Sequence, residues 1–246
     1  MTMATERTRT ERKQGGRKRP VRKAKGVLPF KSWGGARAGA GRKPKGEKAG
    51  VRHATRGALA SRYPAHVTVK LRGGLPRLRR AREYAVLRGA FAAGCERSGF
   101  RLVHYAVLND HLHLLVEGSG REALVRGLQG LLIRVAKALN KLWGRKGSVF
   151  ADRYHDRVLK TPREVRLAIR YVLTNWFKHT AAIGAERSSA PMDMFTSGPW
   201  FDGWREVINV RGLEAELRPV AGARTWLLGT GWRRGGLLSV HERAAG

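Results

Sequence analysis

Two histidines stand one residue apart in the run His111-Leu112-His113-Leu114-Leu115-Val116-Glu117. In a strand, alternate side chains share a face, so His111 and His113 point one way while Leu112, Leu114 and Val116 point into a core. Two imidazoles about 7 Å apart along the backbone can converge on a divalent ion. Taken alone, a His-x-His pair is more often two satisfied surface histidines than a metal site. Further along, Tyr171 and Asn175 are spaced i, i+4 and share one helical face. A phenol is a poor nucleophile at its ordinary pKa of about 10. It becomes useful when a phosphodiester is held in line and a metal takes up charge on the phosphate. Asn175 offers a carbonyl oxygen one turn away as a third ligand beside the histidines. The competing reading makes Tyr171 a core aromatic and Asn175 a cap near the helix end.

These residues need elements to hold them. The alternating β-branched run 66–72 predicts a strand, broken by Gly73-Gly74-Leu75-Pro76. Over 78–97, Tyr84, Leu87, Phe91 and Cys95 recur at helical spacing, and Gly99 closes that helix. Strands follow at 100–108 and 111–117, joined by a tight turn at Asn109-Asp110. A second helix spans 121–142, with Leu124, Leu128, Leu131, Leu132, Val135 and Leu139 on its inner side. A fourth strand is expected over 155–160. The order β-α-β-β-α-β is that of an α+β, ferredoxin-like split βαβ sheet. Thr161-Pro162-Arg163-Glu164 then has the pattern of a capping box opening one further helix, to about residue 178, which carries Tyr171.

Of 246 residues, 50 are Lys or Arg and 18 Asp or Glu, a formal charge of +32. Such a field concentrates polyanions and speeds encounter with a phosphate backbone. Half of that charge lies in residues 1–62, with 19 Lys and Arg against 3 Asp and Glu. This glycine-rich stretch buries too little apolar surface to offset its ordering entropy, and is expected to be a disordered basic arm. Arg37, Arg42 and Lys43 are its candidate phosphate contacts. Cys95 is the sole cysteine, which excludes an intramolecular disulfide and a cysteine zinc ribbon, and suits a reducing cytoplasm. No stretch has the ~18 uninterrupted apolar residues of a membrane helix. Residues 181–246 hold four of the seven tryptophans and are expected to form a small module lying on the main domain. Its Trp232-Arg233-Arg234 could stack on bases, although packing is the commoner use of tryptophan.

The motifs together resemble the HUH single-tyrosine transposases, and within them the REP-associated tyrosine transposases. The resemblance rests on Leu108-Asn109-Asp110-His111-Leu112-His113-Leu114-Leu115-Val116-Glu117, then Gly147-Ser148-Val149-Phe150, Arg153-Tyr154, and Ile169-Arg170-Tyr171-Val172-Leu173-Thr174-Asn175. It covers residues 63–180, the expected catalytic domain, and leaves out the arm and the C-terminal extension. It implies a Mg²⁺ or Mn²⁺ ion held by His111 and His113 with Asn175 as third ligand, and Tyr171 as nucleophile on single-stranded DNA. Attack would leave a 5′-phosphotyrosine and a free 3′-hydroxyl, on hairpin or palindromic DNA. Arg153 and Arg170, inside the matched segments, are candidate DNA contacts. Where the family's motif continues with proline, this chain has Trp176. Three other readings compete: a domesticated DNA-binding protein that no longer cleaves, a replication or mobilisation relaxase, and a phosphodiesterase with two His-x-Thr/Ser motifs. The first predicts loss of His111, His113 or Tyr171, and all three are present. Relaxases usually carry more histidine at the metal and often a second tyrosine, whereas Tyr171 is alone on its helix. A second His-x-Thr/Ser motif is missing. Both a monomer and a homodimer exchanging the tyrosine helix fit the sequence.

Overall fold

Strand β1 (Ala65–Lys70) grows from the β-branched AHVTVK run and lies second in from one edge of a five-stranded antiparallel sheet. The other strands are β2 (Glu96–Arg97), β3 (Phe100–Val107), β4 (His111–Gly118) and β5 (His155–Val158), in the order β2-β3-β4-β1-β5. Omitting the two-residue edge β2, this is the ferredoxin-like arrangement expected from the order of elements. The protein is described here from a computed structural model that covers residues 57–182, 192–208 and 217–242, with backbone alone over 176–182. Asn109-Asp110 forms the predicted turn, closed by the Leu108 amide donating to the His111 carbonyl at 3.0 Å.

Helices α1 (Ala81–Ala92) and α2 (Arg121–Leu142) cover one face of the sheet. Leu87 and Phe91 of α1 and Leu124, Leu128, Leu131, Val135 and Leu139 of α2 pack there with Val67, Val69, Leu112, Leu114 and Val116. At Gly127 helix and sheet approach so closely that a Cβ would lie 2.1 Å from the Phe100 ring. Helix α1 is shorter than its apolar spacing predicts. The chain leaves the helix at Ala93, because Glu96 and Arg97 pair with Arg101 and Phe100 around a turn that holds Gly99 at φ 73°. Cys95 therefore belongs to a hairpin, its carbonyl accepting from the Leu102 amide at 2.7 Å.

The opposite face is covered by α3 (Pro162–Ala182). Its start is the predicted capping box: the Thr161 hydroxyl accepts from the Glu164 amide at 3.2 Å, and the Glu164 carboxylate accepts from the Thr161 amide at 3.2 Å. The helix passes through Trp176 and continues beyond the expected end at residue 178.

Residues 192–208 and 217–240 complete this second layer. Segment 195–197 pairs with β3, the Val107 amide donating to Phe195 and the Ser197 amide to Tyr105. Trp204, Leu227, Leu228 and Trp232 pack with Val165, Ile169 and Val172 of α3. Trp232 is only 1% exposed, so it is packing and not a base-stacking platform. Arg79 and Asp193 tie this layer to the loop before α1 by a two-pronged, buried ion pair of 2.8 and 2.7 Å. Packed structure also starts earlier than the expected arm boundary at residue 62: Leu59 is in the core, and Arg121 donates to the Gly57 carbonyl at 2.8 Å.

His104 on β3 is buried beneath this layer, where the Ser197 hydroxyl lies 3.3 Å from its Nδ1. Burial, reinforced by the charge of Arg218, pulls its pKa from 6.5 down to about 3. The folded state thus refuses a proton that the unfolded chain accepts. The stability linked to it is whole above pH 6.5 and is lost as pH falls toward about 3. His104→Gln is expected to flatten the acid limb of stability below pH 6.5, where the wild-type slope gains up to about 1.4 kcal/mol per pH unit from this one group. Urea unfolding of both proteins at a series of pH values tests this; parallel acid limbs would contradict it.

Candidate active site

Strand β4 is buried on both sides, and its alternation decides where each side chain goes. Leu112, Leu114 and Val116 enter the α1/α2 core, which turns His111, His113, Leu115 and Glu117 toward the α3 face. The two histidine rings sit side by side at 4.8 Å, edge to face. His113 is 5% exposed and lies across from Thr68 on β1. Its Nδ1 is 3.1 Å from the Thr68 hydroxyl and 3.2 Å from Nε2 of His66. On the other side of the ring, Nε2 lies 3.5 Å from the Tyr171 hydroxyl. Tyr171 also stands edge-on to His113 and His66, at 5.0 and 5.8 Å between ring centres. A tyrosine, two strand histidines and a third histidine from the neighbouring strand thus form one cluster between sheet and helix.

Each partner constrains the cluster. Asp110 accepts from Nδ1 of His111 at 2.8 Å, and against the cost of burial that hydrogen bond helps hold the Asp110 carboxyl below its usual range. Such a carboxylate–imidazole pair orients histidine for coordination through Nε2. His66 is held neutral, its pKa lowered to about 4 by burial and then by the nearby Arg157 charge. A neutral His66 can hydrogen-bond to Nδ1 of His113 without repelling a cation close by.

Asn175, one turn beyond Tyr171, is 1% exposed, and its Nδ2 has no hydrogen-bond partner among the described residues. A buried amide left in this state costs free energy unless something absent from the bare chain engages it. Among the described residues no three His, Cys, Asp or Glu side chains cluster to hold an ion. A metal here would therefore draw on the two histidines and a neutral oxygen donor, the set that Asn175 can complete. Imidazole nitrogens suit Mn²⁺ better than Mg²⁺, which prefers oxygen. His111, His113 and the Asn175 Oδ1 are a donor set that suits such an ion, whereas the orphaned Asn175 Nδ2 is a hydrogen-bond donor and calls for an acceptor such as a phosphate oxygen.

The remaining expected residues are placed differently. Arg170 turns to the C-terminal segment, its Nη1 3.1 Å from the Glu242 carboxylate that Arg166 also holds. It is thus occupied in joining α3 to residues 237–242. Arg153 lies on the exposed segment before β5. Arg37, Arg42 and Lys43 fall outside the described residues. Sequence reasoning missed His66 and Thr68. Their alternation on β1 was visible, but only the pairing of β1 with β4 brings them to His113.

No family model matches the chain, and no curated protein matches it. Among solved structures it is similar to a REP-associated tyrosine transposase bound to a REP hairpin, at 19% sequence identity and a TM-score of 0.43, over 52% of this chain and 74% of that one.

Two measurements probe the ion-binding reading. Mn²⁺ is expected to raise the Tm of the wild-type chain through binding to the folded state, and to leave that of His113→Ala unmoved. Asn175→Leu should fold with a Tm equal to or above wild type, because it removes an unsatisfied buried amide, while reducing the Mn²⁺ response. A large drop in Tm for Asn175→Leu would make the amide a structural hydrogen-bonding group instead.

Proposed function

We propose that this protein cleaves and rejoins single-stranded DNA through Tyr171, as a transposase-like strand transferase acting on hairpin or palindromic DNA. The observation that carries this reading is the approach of the Tyr171 hydroxyl to within 3.5 Å of His113 Nε2, beside His111 and one turn from Asn175. The formal charge of +32 supports a polyanionic substrate. The Tyr171 oxygen lies 3.5 Å from His113 of its own chain, the geometry that an attack in cis needs.

In the proposed step the Tyr171 oxygen attacks a backbone phosphorus. A phosphotyrosine bond forms to the 5′ end as the P–O3′ bond breaks, the phenol gives up its proton, and the departing 3′ oxygen takes one up. A divalent ion bound by His111, His113 and Asn175 would supply charge neutralisation on the phosphate. The chain's own contribution is positional. Thr68 and His66 fix the His113 ring from behind, Asp110 fixes His111, and the rigid turn of α3 from Tyr171 to Asn175 sets hydroxyl and amide in one register. Free 3′-hydroxyl attack on the phosphotyrosine reverses the chemistry and joins strands.

The test is incubation of the full chain with end-labelled, hairpin-bearing single-stranded DNA and Mn²⁺, followed by denaturing electrophoresis. The wild type should give a labelled covalent protein–DNA band. Tyr171→Phe removes one oxygen from a half-buried ring, should keep the wild-type Tm, and should give neither the adduct nor cleaved strand. Persistent cleavage by Tyr171→Phe would assign the attack to water.

A further inference from the structure

At the far end of β4 from His111 the chain forms a second cleft, of about 780 Å³, between the β2–β3 hairpin and the start of α4 (Trp226–Gly229). Its chemistry is unlike that of the tyrosine cluster. Arg62, Arg97, Arg101 and Arg224 line it against two carboxylates, Glu96 and Glu117. Neither acid neutralises the cleft as a whole. Glu96 is drawn toward Arg101, with Arg224 3.7 Å away. Glu117 is 5% exposed and accepts from the Arg224 amide, the Thr225 amide and the Thr225 hydroxyl, at 2.8–3.1 Å. That buried carboxylate fixes the backbone from which Arg224 and Trp226 project.

Trp226 is the second unusual feature. Trp204 and Trp232 of the same layer are buried, yet Trp226 is 51% exposed on the cleft wall. The exposed ring is held in place. The guanidinium of Arg234 lies 4.8 Å from its centre, and Gly231 packs so tightly that a Cβ there would meet the ring at 2.8 Å. A braced, half-exposed indole among arginines is how proteins hold unpaired nucleotides, with the base on the aromatic face and the phosphate on the cations.

We infer that this cleft is a second binding site for unpaired DNA, stacking a base on Trp226 and holding flanking phosphates with Arg62 and Arg97. The inference rests on the strand-transfer reading for the identity of the polyanion as DNA, and adds a contact outside the tyrosine cluster. Glu117 lies four residues from His113 on the same strand and face, about 13 Å away, and a stacked strand covers that span in about four nucleotides.

The test uses the full chain carrying Tyr171→Phe, without metal, so that binding is read apart from cleavage. Fluorescence anisotropy follows a labelled single strand of about twelve nucleotides and a duplex of equal length. Adding Trp226→Ala should weaken single-strand binding about tenfold and leave duplex binding unchanged, while Trp226→Phe keeps most of the affinity. Arg62→Ala with Arg97→Ala, both on the exposed rim, should lower the slope of log affinity against log salt by about 1 to 2. This pair carries the test should Trp226→Ala fail to fold. An unchanged single-strand affinity in either folded variant, or an equal loss for duplex, overturns the inference. Adduct formation by the wild type is scored separately, so failure of the cleft and failure of the tyrosine mechanism give different results.

Discussion

Strand β4 is packed on both faces, and the site depends on that. Leu112, Leu114 and Val116 fit one core and His113, Leu115 and Glu117 the other, so no slip of the strand by one residue is tolerated. Such a slip would drive the imidazoles into the α1/α2 core and expose leucine to α3. Burial of these aliphatic side chains thus fixes the place of two chemical features. One is the pair of histidines near the Asn109-Asp110 turn, and the other is the Glu117 carboxylate that anchors the start of α4.

Helix α3 supplies the opposing half of the site, and its placement follows from its own two ends. The Thr161–Glu164 capping box starts it at a defined residue. From there the helical repeat puts Val165, Ile169 and Val172 into the core and Tyr171 at the edge of that face, over His113. Two basic residues of the helix are directed elsewhere, Arg166 and Arg170 both closing on Glu242. The cleft at Trp226 is one place where cations remain grouped.

Much of this was legible in the sequence where a local rule decides the outcome. The His-x-His alternation, the Asn109-Asp110 turn, the capping box and the order of strands and helices all depend on neighbours within a few residues. Features set by distant partners were not legible. Helix spacing runs on through Cys95, yet pairing of Glu96 and Arg97 with β3 ends the helix at Ala92. His66 and Thr68 gain their position from the β1–β4 register, and Arg170 from Glu242, 72 residues away. Trp232 is buried because it packs against α3 with Trp204 and Leu228, while Trp226, six residues earlier, remains half exposed. Composition could not separate those two tryptophans.

The central claim is that one oxygen, that of Tyr171, becomes bonded to DNA phosphorus. Peptide mapping by mass spectrometry of wild-type protein, after reaction with single-stranded DNA and nuclease trimming, locates that bond directly. The account predicts a nucleotide phosphate on the peptide containing Tyr171, with fragment ions that place it on the tyrosine. A nucleotide found on any other side chain, or cleaved DNA with no modified peptide, would contradict it.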